Sequence, residues 1–290
     1  MNKTSIKGHA VLWSILLMPL CGSAESCLWK ATSERGVIYL QGSVHLLTAE
    51  DYPLDPALEA AYDQCNALVL ETDIDSMKSA ETQQMLLEKA RLPEGLTLEG
   101  VLIPEVYKQL AGELTAAGLP PEACRIYKPW FVALNLMMLR LESMDMDPEL
   151  GLDQYFHRKA VADKKQEIAL ESVEFQIGLF DILSEGNQNA YIRYSLKELE
   201  QMDTLLDEML AAWKKGKLDK LDALLRESFK EYPGLEERFV TARNKAWIKK
   251  LDDLVTPERT CLVVVGVAHF AGKEGLLELL KARGYRLEQL

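Results

Sequence analysis

Two histidines stand at the end of the same short motif in distant parts of the chain. Gly42-Ser43-Val44-His45 and Gly266-Val267-Ala268-His269 each follow an apolar run, and Glu71 ends a third run, residues 67–70. Two imidazoles and a carboxylate can bind a divalent ion and leave one position open for water. Without an ion, His45 would act as a base that Glu71 orients. The pattern therefore predicts a reactive centre where three strands end.

Each of these residues also has an ordinary structural explanation. A histidine at a strand end often only braces the fold, and Glu71 could cap the following helix together with Asp73. Of the other two histidines, His9 falls in the N-terminal leader, and His157 lies on a charged helical stretch where we expect a surface residue. The functional interpretation is favoured because three polar groups end three separate strands.

The first half of the sheet that would position these groups lies near the N-terminus. Residues 27–30 and 37–41 are short apolar or β-branched runs around a polar turn, which predicts a hairpin. Asp55-Pro56 is a good helix start, and the apolar run 67–70 follows that helix. Strand, helix and strand in this order predict a parallel βαβ unit.

The second half of the sheet is expected near the C-terminus. The β-branched run 260–265 predicts a strand, a final helix is expected around 274–282, and the last residues predict a closing strand. Ligands bind beyond the carboxyl ends of parallel strands. We therefore expect His45, Glu71 and His269 to face one crevice at that edge of the sheet.

The middle of the chain, from 76 to about 254, is predicted to be helical. One helical stretch is expected from 152 to about 183, and Ser195 with Glu198 fits a capping box. The sequence predicts an α/β fold with a mixed, largely parallel central sheet formed by the N- and C-terminal parts and a large helical insertion. We expect one domain over residues 25–290. Breaks between helices are expected at 93–95, 104, 118–121, 215–217 and 232–234.

The N-terminus has the three-part layout of a secretory signal. Lys3 and Lys7 precede an apolar run and the small residues Gly22-Ser23-Ala24, which predicts cleavage after Ala24. An uncleaved anchor is the alternative, and a lipoprotein at Cys21 is disfavoured by Leu20. No later segment is long and apolar enough to cross a membrane. We expect an exported protein, periplasmic or secreted.

Composition narrows the class of partner. The chain has 290 residues, 48% of them hydrophobic, with 33 basic and 45 acidic residues and a net charge of −12. Loss of the two leader lysines would leave 31 basic against 45 acidic residues, a net charge of −14. Nucleic-acid binding requires a basic face, so it is excluded as the expected function. A peptide or a small-molecule substrate fits this acidity, and the oligomeric state stays open.

Four cysteines would remain after cleavage. Cys27, Cys65, Cys124 and Cys261 allow three complete pairings, and none lies in a Cys-x-x-Cys motif. An exported compartment permits disulfides, whereas a large core makes them unnecessary. Disulfides and free buried thiols both stay open.

Seven segments of the sequence resemble the TraB/GumN/TIKI family, and they cover nearly the whole chain after the leader. The nearest subgroup is the exported GumN-type proteins. The resemblance implies a sheet-based fold related to erythromycin esterases and the haem-binding ChaN proteins. The matching segments are residues 39–45, 70–73, 128–130, 151–153, 171–176, 242–244 and 265–269.

The resemblance also assigns residues to the site. His45 and His269 match the family histidines, Glu71 the early glutamate and Arg243 the late arginine, which would hold a substrate carboxylate or steady an oxyanion. An ordinary ion pair is the alternative for Arg243. Further recurrent positions either bind substrate or brace helices around the crevice, and these are Asp153, Glu171, Gln176 and Asn244.

The resemblance implies two classes of function. The first is a metal-dependent hydrolase of a peptide, amide or ester bond, like the TIKI members, with a Mn, Co or Zn ion held by His45, Glu71 and His269. The second is a protein that binds a peptide or haem without turnover, and an inert structural factor is a third. The sequence lacks three common functional motifs. These are Gly-x-Ser-x-Gly, a phosphate-binding Walker loop and His-Glu-x-x-His.

Overall fold

A computed structural model describes residues 26–181, 188–230 and 233–290. The predicted leader 1–24, with its cleavage point and Cys21, lies outside the described residues, and so does Tyr232 of the expected break at 232–234. Export and signal cleavage therefore stay predictions.

Six strands form one sheet in the order β4-β3-β5-β2-β1-β6. The strands pair in parallel from β4 to β2, whereas β1 is antiparallel to both of its neighbours. The predicted hairpin is confirmed as β1 and β2, and the closing strand as β6. The strands are β1 (Leu28–Ser33), β2 (Gly36–Ser43), β3 (Ala67–Leu70), β4 (Gln166–Ala169), β5 (Cys261–Gly266) and β6 (Arg286–Gln289).

The C-terminal strand β5 lies in the centre of the sheet. It pairs in parallel with β2 on one side and β3 on the other, so β2 and β3 are parallel but not adjacent. All six residues of β5 are buried, which explains its continuous apolar run. This arrangement brings the ends of β2, β3 and β5 side by side.

The middle of the chain contributes one strand as well as helices. Residues 152–183 were expected to be a single helical stretch, and this prediction was wrong because β4 interrupts it. The segment Gln166–Ala169 is mostly exposed and edges the sheet, so it lacks the apolar run that marks a buried strand. The sheet is therefore not formed by the two ends of the chain alone.

Helices surround the sheet and build the rest of the described structure. The capping box predicted at Ser195 is wrong, because Ser195 lies inside a long helix and its hydroxyl donates to Tyr191 O at 2.9 Å. The helices are α1 (Pro56–Asp63), α2 (Ile74–Lys78), α3 (Ala80–Ala90), α4 (Leu98–Val101), α5 (Pro104–Ala116), α6 (Pro129–Glu142), α7 (Leu152–Asp163), α8 (Val173–Asp181), α9 (Gln188–Trp213), α10 (Leu218–Phe229), α11 (Pro233–Glu236), α12 (Ala242–Leu254) and α13 (Leu276–Lys281).

The main hydrophobic core covers the sheet, and a second apolar cluster joins α4, α5, α6 and α9. The four described cysteines carry free thiols, and three of them are buried. His157 is buried rather than on the surface, with its ring between Glu167 (2.9 Å) and Asp75 (3.4 Å). None of the described helices combines the length and apolar character that a membrane crossing requires.

Candidate active site

Three polar side chains converge where β2, β3 and β5 end. Nε2 of His45 and Nε2 of His269 each lie 3.9 Å from Oε1 of Glu71. The space that they enclose lies against Gly266. A Cβ atom on that glycine would lie 3.3 Å from Glu71 Oε1 and 3.4 Å from His45 Nε2. The missing side chain therefore keeps the centre of the site open.

Glu71 is a buried carboxylate with a donor on each oxygen. Oε1 accepts the Gly266 N–H at 2.8 Å, and Oε2 accepts from Arg243 and from Gln176 Nε2 at 3.1 Å. Burial alone raises the pKa of Glu71, but nearby positive charge and the Gly266 N–H outweigh it and lower the pKa to about 2. The carboxylate is therefore ionised at neutral pH.

Asn244 decides which nitrogen of His269 carries the proton. Its Nδ2 donates to the carbonyl oxygens of His269 (3.1 Å) and Glu274 (2.9 Å), which points Oδ1 at the ring. His269 Nδ1 lies 2.7 Å from that oxygen, so Nδ1–H donates and the Nε2 lone pair faces the site. Such a partner is the usual outer contact of a metal-binding histidine.

His269 is neutral at physiological pH. Burial lowers its pKa to about 3, and Arg243 adds to this effect while Glu71 opposes it. A neutral ring adds no positive charge beside Glu71, so we attribute the low pKa of Glu71 to Arg243, His45 and the Gly266 N–H. The side chain of His269 is only 4% exposed, and its ring lies 4.4 Å from the ring of Trp247.

His45 is the exposed member of the group. Its side chain is 56% exposed, and Nδ1 lies 2.6 Å from Oδ2 of Asp153, which also accepts from the Ser43 hydroxyl at 2.9 Å. The charge of Asp153 raises the pKa of His45 to about 9, against an opposing effect of burial. Asp153 thereby turns Nε2 of His45 towards Glu71 and stabilises the imidazolium form.

Gly151 lets helix α7 bring Asp153 to this position. A Cβ atom on Gly151 would lie 2.1 Å from His45 O, closer than any side chain allows. The next residue, Leu152, donates its N–H to Val44 O at 3.2 Å. The segment Gly151-Leu152-Asp153 therefore positions His45.

Every N–H of Arg243 is already used inside the protein. Nη1 donates to Phe239 O (2.9 Å) and to His269 Nε2 (3.1 Å), Nε donates to Glu171 at 3.0 Å, and Nη2 donates to Glu171 and Glu71. A guanidinium has five N–H donors. None remains for a substrate oxyanion, so the expected oxyanion contact is not available while these bonds persist.

Glu171 and Gln176 position the charged groups. Glu171 accepts from Arg243 and, through Oε2, from the Trp247 indole at 2.9 Å. Gln176 Nε2 donates to Glu71 (3.1 Å) and to Glu171 (2.9 Å). Glu171 follows β4 as Glu71 follows β3, and its N–H donates to Glu71 O at 2.9 Å. Both residues therefore touch the predicted site groups, and the structure shows no open substrate contact for them.

The sequence did not predict Trp247 as a site residue. It predicted Glu171 but not that this residue follows a strand. Trp247 contacts His269, Glu171 and the Arg243 guanidinium, whose carbon lies 4.6 Å from the ring centroid. Its spacing of three and four residues from Asn244 and Arg243 could have placed it on the same helix face. A five-residue π-helical turn, Glu237–Thr241, precedes this face. Such turns often occur beside functional sites.

The donor chemistry of the site fits a divalent ion, although Arg243 stands in the way. Within residues 26–181, 188–230 and 233–290 there is no group of three His, Cys, Asp or Glu that could hold a metal as it stands. However, Glu71 is ionised, His269 offers a lone pair, both histidines have Nδ1 partners, and Gly266 leaves space. Binding would require Arg243 Nη1 to leave His269 Nε2.

Comparison with known proteins identifies the family of the chain. The model of the TraB/PrgY/gumN family matches residues 27–289, which is nearly the whole chain. Searches of curated proteins and of solved structures found no match, so the expected likeness to ChaN proteins and erythromycin esterases stays a prediction. The matched range includes β1 to β6 and every residue of the site, and on this ground the chain belongs to the TraB/PrgY/gumN family.

Proposed function

We propose that the protein is a hydrolase of amide or ester bonds, with a peptide as the first candidate substrate. The observation that carries the proposal is the convergence of His45 Nε2 and His269 Nε2 on Glu71 Oε1, at 3.9 Å each, beside the open face of Gly266. A polar cluster with strongly shifted pKa values is typical of a catalytic site.

The proposal includes a divalent ion, Mn, Co or Zn. His45 Nε2, Glu71 and His269 Nε2 would hold it, and such an ion supplies a hydroxide nucleophile at neutral pH. The oxygen and nitrogen donors suit all three metals.

His45 is the residue that exchanges a proton in this scheme. Asp153 keeps a proton on Nδ1, so Nε2 is the nitrogen that gives up its proton before it serves as a base or a ligand. Because the pKa of His45 is raised to about 9, the deprotonated ring is the minor form at neutral pH. Activity is therefore expected to increase with pH towards 9.

Arg243 has a positioning role in the proposal. Its guanidinium neutralises Glu71 and Glu171, two buried carboxylates whose backbones are directly hydrogen-bonded to each other. Without a cation between them, one of the two would take up a proton. Arg243 thus keeps Glu71 ionised and aligned, and a substrate oxyanion needs another donor.

Metal analysis tests the ion. Protein stripped of metal and reloaded with Mn, Co or Zn should bind one ion per chain, and His45→Ala should lose that ion. His157→Asn is the matched control, since His157 contacts Glu167 and Asp75 away from the site, and it should bind as wild type does. An ion retained by His45→Ala, or bound by no form of the protein, would contradict the assigned ligands.

A peptide library tests the hydrolase itself, with each ion in turn. Wild type and Glu105→Gln, a change of an exposed glutamate on α5, should release products. Glu71→Gln should stay folded and lose turnover by at least about a hundredfold, a typical effect of removing a catalytic group. Peptide binding without cleavage in wild type would reject the hydrolase and support a binding function.

A further inference from the structure

Two cavities adjoin beside the segment that follows His269. One has a volume of about 310 Å³ and the other about 910 Å³. Both are lined by Asp222, Arg226, Gly272 and Lys273, so they share a boundary between α10 and the segment before α13. Together they form one groove, called the α10 groove below, and its size suits a small organic ligand.

The smaller cavity has five apolar side chains along part of its wall, beside five charged ones. Side chains of α10 and the π-helical turn face the short segment after β5, and the apolar members are Leu225, Phe229, Val240, Ala268 and Ala271. Ala268 precedes the site residue His269 in the chain. This end of the α10 groove can therefore hold the apolar part of a ligand.

The larger cavity is basic, in contrast to the protein as a whole. The chain has a net charge of −12, yet five basic and three acidic residues line this space. Trp29 also lines it and stacks on Phe270, with ring centroids 5.3 Å apart. The basic residues are Lys217, Lys220, Arg226, Lys273 and Lys281.

Two of these five positive charges are not neutralised by the described residues. Lys220 pairs with Glu208 at 2.6 Å and Lys281 with Glu278 at 2.7 Å. Lys217 and Lys273 are exposed, and the described part of the chain gives neither of them an ion pair. The larger cavity therefore has positive charge left over for an anion.

Arg226 is held at the boundary between the two cavities. Its Nε donates to Asp222 at 2.8 Å, which leaves the outer nitrogens of the guanidinium for another acceptor. Gly272 has a φ of 77°, and a Cβ atom there would lie 3.1 Å from Arg226 Nη2. Close packing on this glycine thus aligns the guanidinium, and such a fork binds carboxylates well.

We infer that the α10 groove binds a carboxylate carried on an apolar body, with the carboxylate near Arg226 and Lys273 and the apolar body in the smaller cavity. A peptide that ends in an apolar residue and a medium-chain fatty acid both have this chemistry. The inference does not depend on the proposed hydrolase, because the groove contains none of the residues assigned to hydrolysis.

Calorimetric titration of the whole protein at low salt tests the inference with three probes. These are acetyl-Leu-Phe with a free carboxylate, acetyl-Leu-Phe amide and octanoate. We expect saturable binding of a carboxylate probe and at least tenfold weaker binding of the amide. If only one of the two carboxylate probes binds, that probe shows whether the ligand is a peptide C-terminus or a fatty acid. If both bind, the groove recognises an apolar monocarboxylate of either kind. No saturable binding of either, or equal binding of acid and amide, would overturn the inference.

Substitutions locate the binding. Lys217→Gln combined with Lys273→Gln removes two exposed charges without breaking an ion pair among the described residues, so the fold should persist. We expect Kd to rise at least fivefold in this variant and to stay unchanged in Lys108→Gln, an exposed lysine on α5. An unchanged Kd in the double variant would show that the anion does not bind in this cavity. Turnover is measured separately, so a failure here leaves the hydrolase test intact.

Discussion

At the scale of single residues, the two site histidines have opposite acid–base behaviour. His45 is half exposed beside Asp153, and its pKa is raised to about 9. His269 is buried, accepts a hydrogen bond from Arg243, and its pKa is lowered to about 3. Between these values one ring is charged and the other neutral. Two groups whose environments separate their pKa values in this way are typical of sites that move protons.

Asp153→Asn should lower the pKa of His45 from about 9 towards 6.5, the ordinary value for histidine. The reason is that the amide removes the negative charge that stabilises the imidazolium. Histidine ring signals followed by NMR from pH 5 to pH 10 measure this. The His157 signals, from a ring that contacts other carboxylates, are the internal control. An unchanged His45 titration would show that Asp153 does not act on it.

His269 should make the protein less stable in mild acid. Its folded pKa of about 3 is below the ordinary value near 6.5, so the unfolded chain takes up a proton first as the pH falls. Its contribution to stability is complete above pH 6.5 and is lost between 6.5 and 3. Urea unfolding is measured at pH 6.5 and pH 5. Between these two values the free energy of unfolding should drop less for His269→Gln than for wild type. An equal drop in both proteins would contradict the assignment.

At the scale of elements, α7 and the strand β4 set the geometry of the site. Gly151, which packs against His45 O, directly precedes helix α7. The first turn of this helix holds Asp153 against the His45 ring. Strand β4 pairs with β3 and carries Glu171 to the side of Glu71. These two elements, from the middle of the chain, complete a site whose main residues come from the two ends.

Gly151→Ala should destabilise the protein by about 1–3 kcal/mol, since the new Cβ would overlap His45 O and neither backbone can yield freely. Gly112→Ala in α5 is the matched control, because nothing lies within 4 Å of a Cβ atom there. In a helix interior that change should stabilise by about 0.5–1 kcal/mol. Urea unfolding measures both, and a neutral Gly151→Ala would show that the close approach is not required.

At the scale of the whole molecule, the two ends of the described chain are held together in one sheet. Strand β6 pairs with β1, and Leu290 N–H donates to Leu28 O at 2.9 Å while Ser26 N–H donates to Leu290 O at 2.8 Å. Strand β1 in turn carries β2, which leads to His45. The last residues thus cover the lateral edge of β1, the strand that pairs with β2.

Removal of residues 286–290 should lower the midpoint of urea unfolding and promote association. The deletion exposes the hydrogen-bonding edge of β1, and unpaired edge strands recruit other chains. Unfolding curves and light scattering measure the two effects. The matched control is Lys281→Gln, which changes the exposed end of α13 and leaves the strand in place. A truncated protein as stable and as monomeric as wild type would contradict this role for β6.

The sequence by itself determined the local features of the protein. Apolar runs located β2, β3 and β5. Glu71 directly follows the run of β3, and the Gly-x-x-His motifs at the ends of β2 and β5 identified His45 and His269. These signals are visible because buried strands need continuous apolar residues and because strand ends share one edge of a parallel sheet. The order and spacing of the motifs along the chain also identified the family.

Only the tertiary structure decided which groups touch. Strand β4 has no apolar run, and His157 is buried by pairing with distant carboxylates, so neither could be recognised from local pattern. The use of four of the five Arg243 donors, and the proton position that Asn244 sets on His269, depend on contacts between residues far apart in the chain. Hydrogen bonds and charge interactions act over a few ångströms in space, and sequence distance does not encode them.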